Sequence, residues 1–198
     1  MGSETMKKIV MEDLMGLSAY EKVRSQFRQE IIDYKRHRRL PVGDRVCLVF
    51  ENRKTVAFQI QEMLRAEKIM DLDKVREEVE VYNTLIPEAD ELSATLLLEI
   101  EEQTKIREEL LKFLGIDERV YLRIGEGRTI RAAFEQGHSK EDKISAVQYV
   151  RFRLSLEARA AFVAGREEAR VAIDHPNYRA EAKIWDEMRK SLIEDLRE

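Results

Sequence analysis

The run Val46-Cys47-Leu48-Val49-Phe50 is apolar at every position and passes, with no intervening loop, into Glu51-Asn52-Arg53-Lys54-Thr55 and a helical pattern that continues to Glu67. Five apolar residues between turn-forming and charged neighbours are too few for a core helix, and they predict a strand buried on both faces. Such a strand needs a covering layer on each side. It commits the chain to a layered α+β architecture in which the helix that follows supplies one of the covers.

That helix is unusual in its polar content. A rotation of about 100° per residue places Val56, Ile60, Met63 and Leu64 on one arc, with Glu67 in the middle of it. Phe58 and Ile69 fall on the opposite side beside Glu62 and Arg65, which predicts cover on two faces. An unpartnered polar group there costs roughly 1–3 kcal/mol, and a charge costs more. Glu51, Asn52, Arg53, Gln59, Gln61, Glu62, Arg65 and Glu67 are therefore expected to form either a satisfied internal network or the lining of a site.

The remaining elements follow from local signals. Ser18 and Glu21 have the spacing of a capping box before a helix over 18–38, and residues 40–44 read as a turn. Asp71 or Asp73 caps a helix over 73–82, a strand follows at 94–100, and a helix over 103–114 stops at Gly115. The segments 120–124 and 129–134 pair as a hairpin, 136–139 is a polar loop, and 144–154 alternates as a long strand. Ser155 caps a helix over 156–164, 169–173 is a strand, and Pro176 opens a final helix over 176–196. No linker interrupts the 198 residues, so residues 9–198 are read as one domain behind a flexible stretch at 1–8. Its expected form is a mixed, mostly antiparallel sheet of about five or six strands, with amphipathic first and last helices.

Charge and cysteine content narrow the function classes. A net charge of −4 argues against nucleic acid as the main partner. One basic stretch qualifies this: Arg24, Arg28, Lys35, Arg36, Arg38 and Arg39 lie along the first helix and its end. They read either as a solvated face that complements the helix dipole or as a patch for phosphate or an acidic partner. Cys47 is the single cysteine, which excludes an internal disulfide and any site needing several thiolates, iron–sulfur clusters included. It is read as a small buried hydrophobe. With no membrane-spanning run and no signal segment, a cytoplasmic protein is expected.

His37, His138 and His175 are scattered, and no Glu-x-x-His pair of the di-iron type is present, so neither a metal nor a cofactor is expected. An acid–base site would use His175 as base, Asp174 as its orienter, and Glu62 or Glu67 as a carboxylate across the site. The alternative is a helix-capping role for Asp174 or His175, with Tyr178 packed beneath.

Several phrases carry a resemblance. Tyr20-Glu21-Lys22 with Arg24 and Phe27-Arg28, the run Lys35 to Arg39, the stretch FENRKTVAFQIQEMLRAE, Tyr82-Asn83 with Leu85-Ile86-Pro87, Ala94-Thr95-Leu96, and Asp174-His175-Pro176 with Tyr178 extend over nearly the whole chain. Together they resemble an uncharacterised prokaryotic family catalogued as domain of unknown function three thousand five hundred and one. The resemblance brings no catalytic residues. It implies an association, because genes of that family commonly stand beside those for rubrerythrin and for an iron–sulfur oxidoreductase related to heterodisulfide reductase. An accessory or adaptor protein for a redox or peroxide-defence system is the resulting expectation, ahead of a small His/carboxylate enzyme and of binding through the basic helix.

Overall fold

The structure, a computed structural model, describes residues 7–135, 139–140 and 143–196. Residues 1–6 of the expected flexible stretch 1–8, and residues 136–138 of the expected polar loop 136–139, His138 among them, lie outside the described residues, whereas Ser139 is part of a short strand.

The chain begins with a short helical turn at Met11–Asp13 and then forms α1 (Leu17–Lys35), β1 (Arg39–Val42), β2 (Val46–Glu51), α2 (Arg53–Ala66) and α3 (Leu72–Asn83). It continues through β3 (Glu91–Leu98), α4 (Ile106–Leu111), β4 (Val120–Ile124), β5 (Arg128–Arg131) and β6 (Ala133–Phe134). After β7 (Ser139–Lys140) and β8 (Lys143–Ile144) come β9 (Val147–Arg153), α5 (Leu156–Ala164), β10 (Ala169–His175), β11 (Tyr178–Lys183) and α6 (Asp186–Asp195). The α+β class expected from the sequence holds. The strands, however, sort into two antiparallel sheets, a first of order β1-β2-β3-β9-β6 and a second of order β11-β10-β4-β5, with β7 and β8 as a separate ribbon.

The doubly buried strand has the expected cause. All six residues of β2 are buried. Val46, Leu48 and Phe50 turn inward with Leu92, Ala94 and Leu96 of β3 and with Val150 and Phe152 of β9. They meet Val120, Leu122 and Ile124 of β4 and Val171 and Ile173 of β10, while Phe162 of α5 and Met188 and Leu192 of α6 complete the main core. The outer face of the first sheet carries a second core, in which Val56, Ile60 and Leu64 of α2 join Val79, Leu85, Ile86 and Ile9. On the far side of α2, Phe58 meets Phe27 of α1 edge-on at 5.9 Å, so α2 is covered on two faces.

Four local readings are corrected. Helix α1 starts at Leu17 with Gly16 as its cap, so Ser18 lies inside the first turn and makes no capping bond. Residues 39–42 form strand β1 rather than a turn, with Leu40 and Val42 inward and Pro41 tolerated because β1 has no other strand of its sheet beyond it. The strand after β5 leaves the expected hairpin: Ala133 and Phe134 pair with β9 and so cross to the first sheet. The largest difference is at the C-terminus, where Tyr178–Lys183 pairs with β10 and the last helix begins only at Asp186.

The N-terminal segment is held by side-chain amides. Asn83 accepts from the Ile9 N–H at 2.8 Å and donates to its carbonyl at 2.8 Å. Gln61 does the same to Met15, at 2.9 and 2.8 Å. Lys8, which the sequence places in the tail, reaches the Asn83 carbonyl at the C-terminal end of α3 at 3.3 Å.

Candidate functional site

The polar residues after β2 divide into two groups. The first surrounds the entry to α2. Asn52 caps this helix by accepting from the Thr55 N–H at 3.2 Å, while the Thr55 hydroxyl accepts from the Asn52 N–H at 2.9 Å. With its oxygen engaged there, the Asn52 amide donates to the Tyr34 hydroxyl at 2.7 Å and to Asp195 Oδ1 at 2.8 Å. Asp195 also forms a buried ion pair with Arg38. Arg38 is fully buried, and it donates further to the Phe50 carbonyl at 2.9 Å and to the Ser191 hydroxyl at 2.9 Å. Glu51 lies alongside: its Oε1 accepts from Thr95 at 2.8 Å, and its Oε2 stands 3.9 Å from Lys35.

The second group fixes α1 on α2. Glu62 accepts from the Tyr20 hydroxyl at 2.7 Å and takes a two-pronged bond from Arg24 at 2.8 and 2.7 Å. The Arg24 bond, with help from Tyr20, holds the Glu62 carboxyl below its usual range. Burial and the bond to Glu62 push the Tyr20 phenol up. Arg65 pairs with Glu21 at 2.6 Å, and Arg53 pairs with Asp13 at 2.6 Å. Gln59 is half-buried on α2, and its amide nitrogen has no hydrogen-bond partner among the described residues. Glu67, placed by periodicity in the apolar arc, is the exposed C-terminal cap of α2, because the helix ends just before it.

A depressed carboxyl gives stability that is present above the unfolded pKa and lost as pH falls through the folded one. Glu62→Gln is therefore expected to lower unfolding stability by about 1.5 kcal/mol near neutral pH. The gap between the variant and the parent should close in urea titrations taken below about pH 4, where the unfolded carboxyl near 4.3 is protonated and the folded one follows. An equal gap at pH 7 and pH 3 would mean that the Glu62 charge is not what joins α1 to α2.

The acid–base candidates are not brought together. His175 ends β10 and does not start a helix. Its Nδ1 accepts from the Asn177 N–H at 3.2 Å, so the other nitrogen carries the proton and Nε2–H donates to the Leu114 carbonyl at 2.8 Å. Asp174 points away and pairs with Arg179 at 3.0 Å. Glu62 sits on the helical layer outside the first sheet, whereas His175 belongs to the second. The His175-Pro176-Asn177-Tyr178 turn instead docks one sheet on the other. Tyr178 donates to the Val42 carbonyl at 2.6 Å and accepts from the Arg45 N–H at 3.1 Å, and Phe113 packs against both His175 and Tyr178.

The basic residues do not form one continuous positive face. Arg24 is on Glu62, Arg36 on Asp33, Arg38 on Asp195 and Arg39 on Glu99, and Lys35 faces Glu51. Arg28 is exposed. Cys47 is buried, and that burial pushes its thiol up. Among the described residues no group of three or more His, Cys, Asp or Glu side chains is placed to hold a metal ion. No described helix is long and apolar enough to cross a membrane.

Sequence reasoning missed Tyr34, Ser191, Asp195 and Arg189. Spacing held a signal for two of them. Tyr34 follows the buried Ile31 by three residues and is half-buried near the end of α1, and Asp195 extends the buried stripe of Met188 and Leu192 on α6. Arg189 has a separate duty: it donates to the Phe162 carbonyl at 2.9 Å and so caps α5.

Residues 8–196 match the family model described as "Protein of unknown function (DUF3501)". The fold is similar to a crystal structure of a protein of unknown function from Burkholderia pseudomallei. The two are 34% identical, with a TM-score of 0.90 over 96% of this chain and 100% of that one. Among curated proteins no relative matches.

Proposed function

Since the chain belongs to the DUF3501 family, whose name carries no activity, we propose from its own geometry that it is an accessory protein that acts by binding another protein. One observation carries this reading. The ionisable groups that would have built a reaction centre are occupied inside the fold: Asp195 with Arg38 and Asn52, Glu62 with Tyr20 and Arg24, and His175 with Leu114 and Asn177. What the described surface offers instead is apolar side chains set among charges. Met70 and Leu72, at the start of α3, are 78% and 66% exposed and flank Asp71, whose carboxylate caps that helix. Exposed apolar residues rimmed by charge suit a protein interface.

The partners to try first are those that the family resemblance implies, rubrerythrin and an iron–sulfur oxidoreductase related to heterodisulfide reductase. In this reading the mixed surface charge controls encounter and salt sensitivity more than affinity. The tagged full-length protein should retain one of the two from native lysate at low salt, less of it at moderate salt, and less again when Leu72 is replaced by Ser. Recovery of neither partner at either salt level would overturn the assignment.

A further inference from the structure

We propose that the outer face of the second sheet is a docking surface for an acidic, extended segment of a partner protein. The outward positions of its four strands carry Arg123, Arg131, Arg170, Arg179 and Lys183 against Asp174 and Glu181, in a chain whose net charge is −4. This surface is distinct from the one around Met70 and Leu72, which belongs to the helical layer outside the first sheet. The inference goes beyond the accessory role, and its test needs neither of the partners named above.

Strand register builds the surface. Lys183 of β11, Arg170 of β10 and Arg123 of β4 stand directly opposite one another across three adjacent strands. Like charges in that arrangement destabilise a sheet, so the row needs compensating charge. Glu181 pairs with Arg123 and Arg170, and Glu168 pairs with Arg170 and Lys183. Three cations therefore share two carboxylates. The side chains of Arg123, Arg170 and Lys183 are 39%, 50% and 60% exposed, so the row is open to solvent. One row along, Arg131 lies opposite Tyr121, is exposed, and makes no ion pair with a described residue. Arg123, Arg170 and Thr129 also line a hollow of about 670 Å³, together with Glu126, Glu168 and Glu181.

Residue types choose the occupant. Four of the five outward cations are arginines, whose guanidinium takes a carboxylate through two parallel bonds and which, unlike lysine, are enriched at protein interfaces. Tyr121 stands among them, half-buried, as an aromatic side chain of the kind that anchors such interfaces. The carboxylates set between the cations disfavour a continuous polyanion. A nucleic-acid strand would bring phosphates against Glu168 and Glu181 as well as against arginines, and it would find only Tyr121 to stack on, whose hydroxyl donates to the Glu118 carbonyl at 3.1 Å. A single free carboxylate would gain little from cations that are already hydrated. A segment with carboxylates spaced by small neutral residues can set them on Arg131, Arg123 and Lys183 and leave gaps over Glu168 and Glu181.

Fluorescence anisotropy of the full-length protein tests this with three labelled probes: a peptide of alternating glutamate and serine, its lysine and serine counterpart, and a single-stranded oligouridylate. Saturable binding of the glutamate peptide that weakens as salt rises supports the proposal, as do amide NMR shifts confined to β4, β5, β10 and β11 in the same titration. Arg131 is exposed and has no ion pair to lose, so Arg131→Gln leaves the fold intact, and it should weaken the glutamate peptide by about threefold. Arg123→Gln added to it should bring the loss to about tenfold. Glu181→Gln acts in the opposite direction, because it releases Arg123 and Arg170, and should tighten binding by about twofold. Arg28→Gln, an exposed cation on α1, should leave it unchanged. Absence of saturable binding by the glutamate peptide overturns the proposal. So does an affinity indifferent to the Arg131 and Arg123 variants, equal binding of the lysine peptide, or tighter binding of the oligouridylate, which would assign the face to nucleic acid instead.

Discussion

Asp195→Ala is expected to lower the unfolding free energy by about 3–5 kcal/mol, because it leaves the Arg38 guanidinium buried without its counter-charge. At a chain length of 198 residues this corresponds to a fall in Tm of roughly 6–20 °C. The hydrogen bonds around the pair make the loss larger than a surface ion pair would give. Arg38 keeps its bonds to the Phe50 carbonyl and Ser191, but Asn52 loses one of the two acceptors of its amide and keeps only the Tyr34 hydroxyl, and Asn52 is also the cap of α2. The pair thus fastens the last helix to the junction of α1, β1 and α2. Asp195→Asn retains an acceptor in the same place and should cost about half as much. Replacing both partners, Arg38→Met with Asp195→Leu, should recover part of the loss, since two uncharged side chains no longer oppose burial. A denaturant midpoint unchanged in Asp195→Ala would mean that Arg38 finds water, and that the enclosed network is not what closes the fold.

The difference between what the sequence shows and what it conceals follows the range of the interactions. Asp71, Ser155, Gly115 and Gly165 act within one turn of chain, and each stands where local pattern places it: two caps that accept from backbone N–H groups and two left-handed glycines. Val46 to Phe50 is equally legible, because a strand apolar on both sides has few other uses. Arg38 is the opposite case. In the sequence it sits inside a run of cations that reads as solvated, and its burial is decided by Asp195, which lies 157 residues further on. Glu62 was placed among the enclosed groups by its own helix, but its partners Tyr20 and Arg24 come from another. The hairpin at 169–183 shows how a local signal misleads. Pro176 suits the first turn of a helix, and it equally suits a two-residue turn whose second residue is tied to the His175 ring. The alternation of Tyr178, Ala180 and Ala182 with Arg179, Glu181 and Lys183 favoured the strand, and only the pairing with β10 makes that pattern decisive.

The same hairpin supplies the second large effect. Gly43→Ala is expected to cost about 3–4 kcal/mol, for two reasons that add. Gly43 has φ of +76°, a left-handed conformation that a side chain makes unfavourable by roughly 1–2 kcal/mol. A Cβ there would also lie 2.2 Å from the Tyr178 hydroxyl oxygen and 2.9 Å from the Ala180 Cβ. The Tyr178 ring is packed against Phe113 and has no room to swing aside without giving up its bonds to Val42 and Arg45, each worth about 1 kcal/mol. Those bonds join the β1–β2 turn of the first sheet to β11 of the second, so the loss falls on the seam between the sheets. Tyr178→Phe removes both bonds without touching Gly43 and should cost about 1–2 kcal/mol. In that background Gly43→Ala should cost less than it does alone, although Ala180 still blocks the new methyl. Gly127→Ala is the control: a Cβ there meets nothing within 4 Å, and its effect should stay within about 0.5 kcal/mol. Urea unfolding of the four variants decides the matter, and equal midpoints for Gly43→Ala and Gly127→Ala would show that the two sheets are not held together through Tyr178.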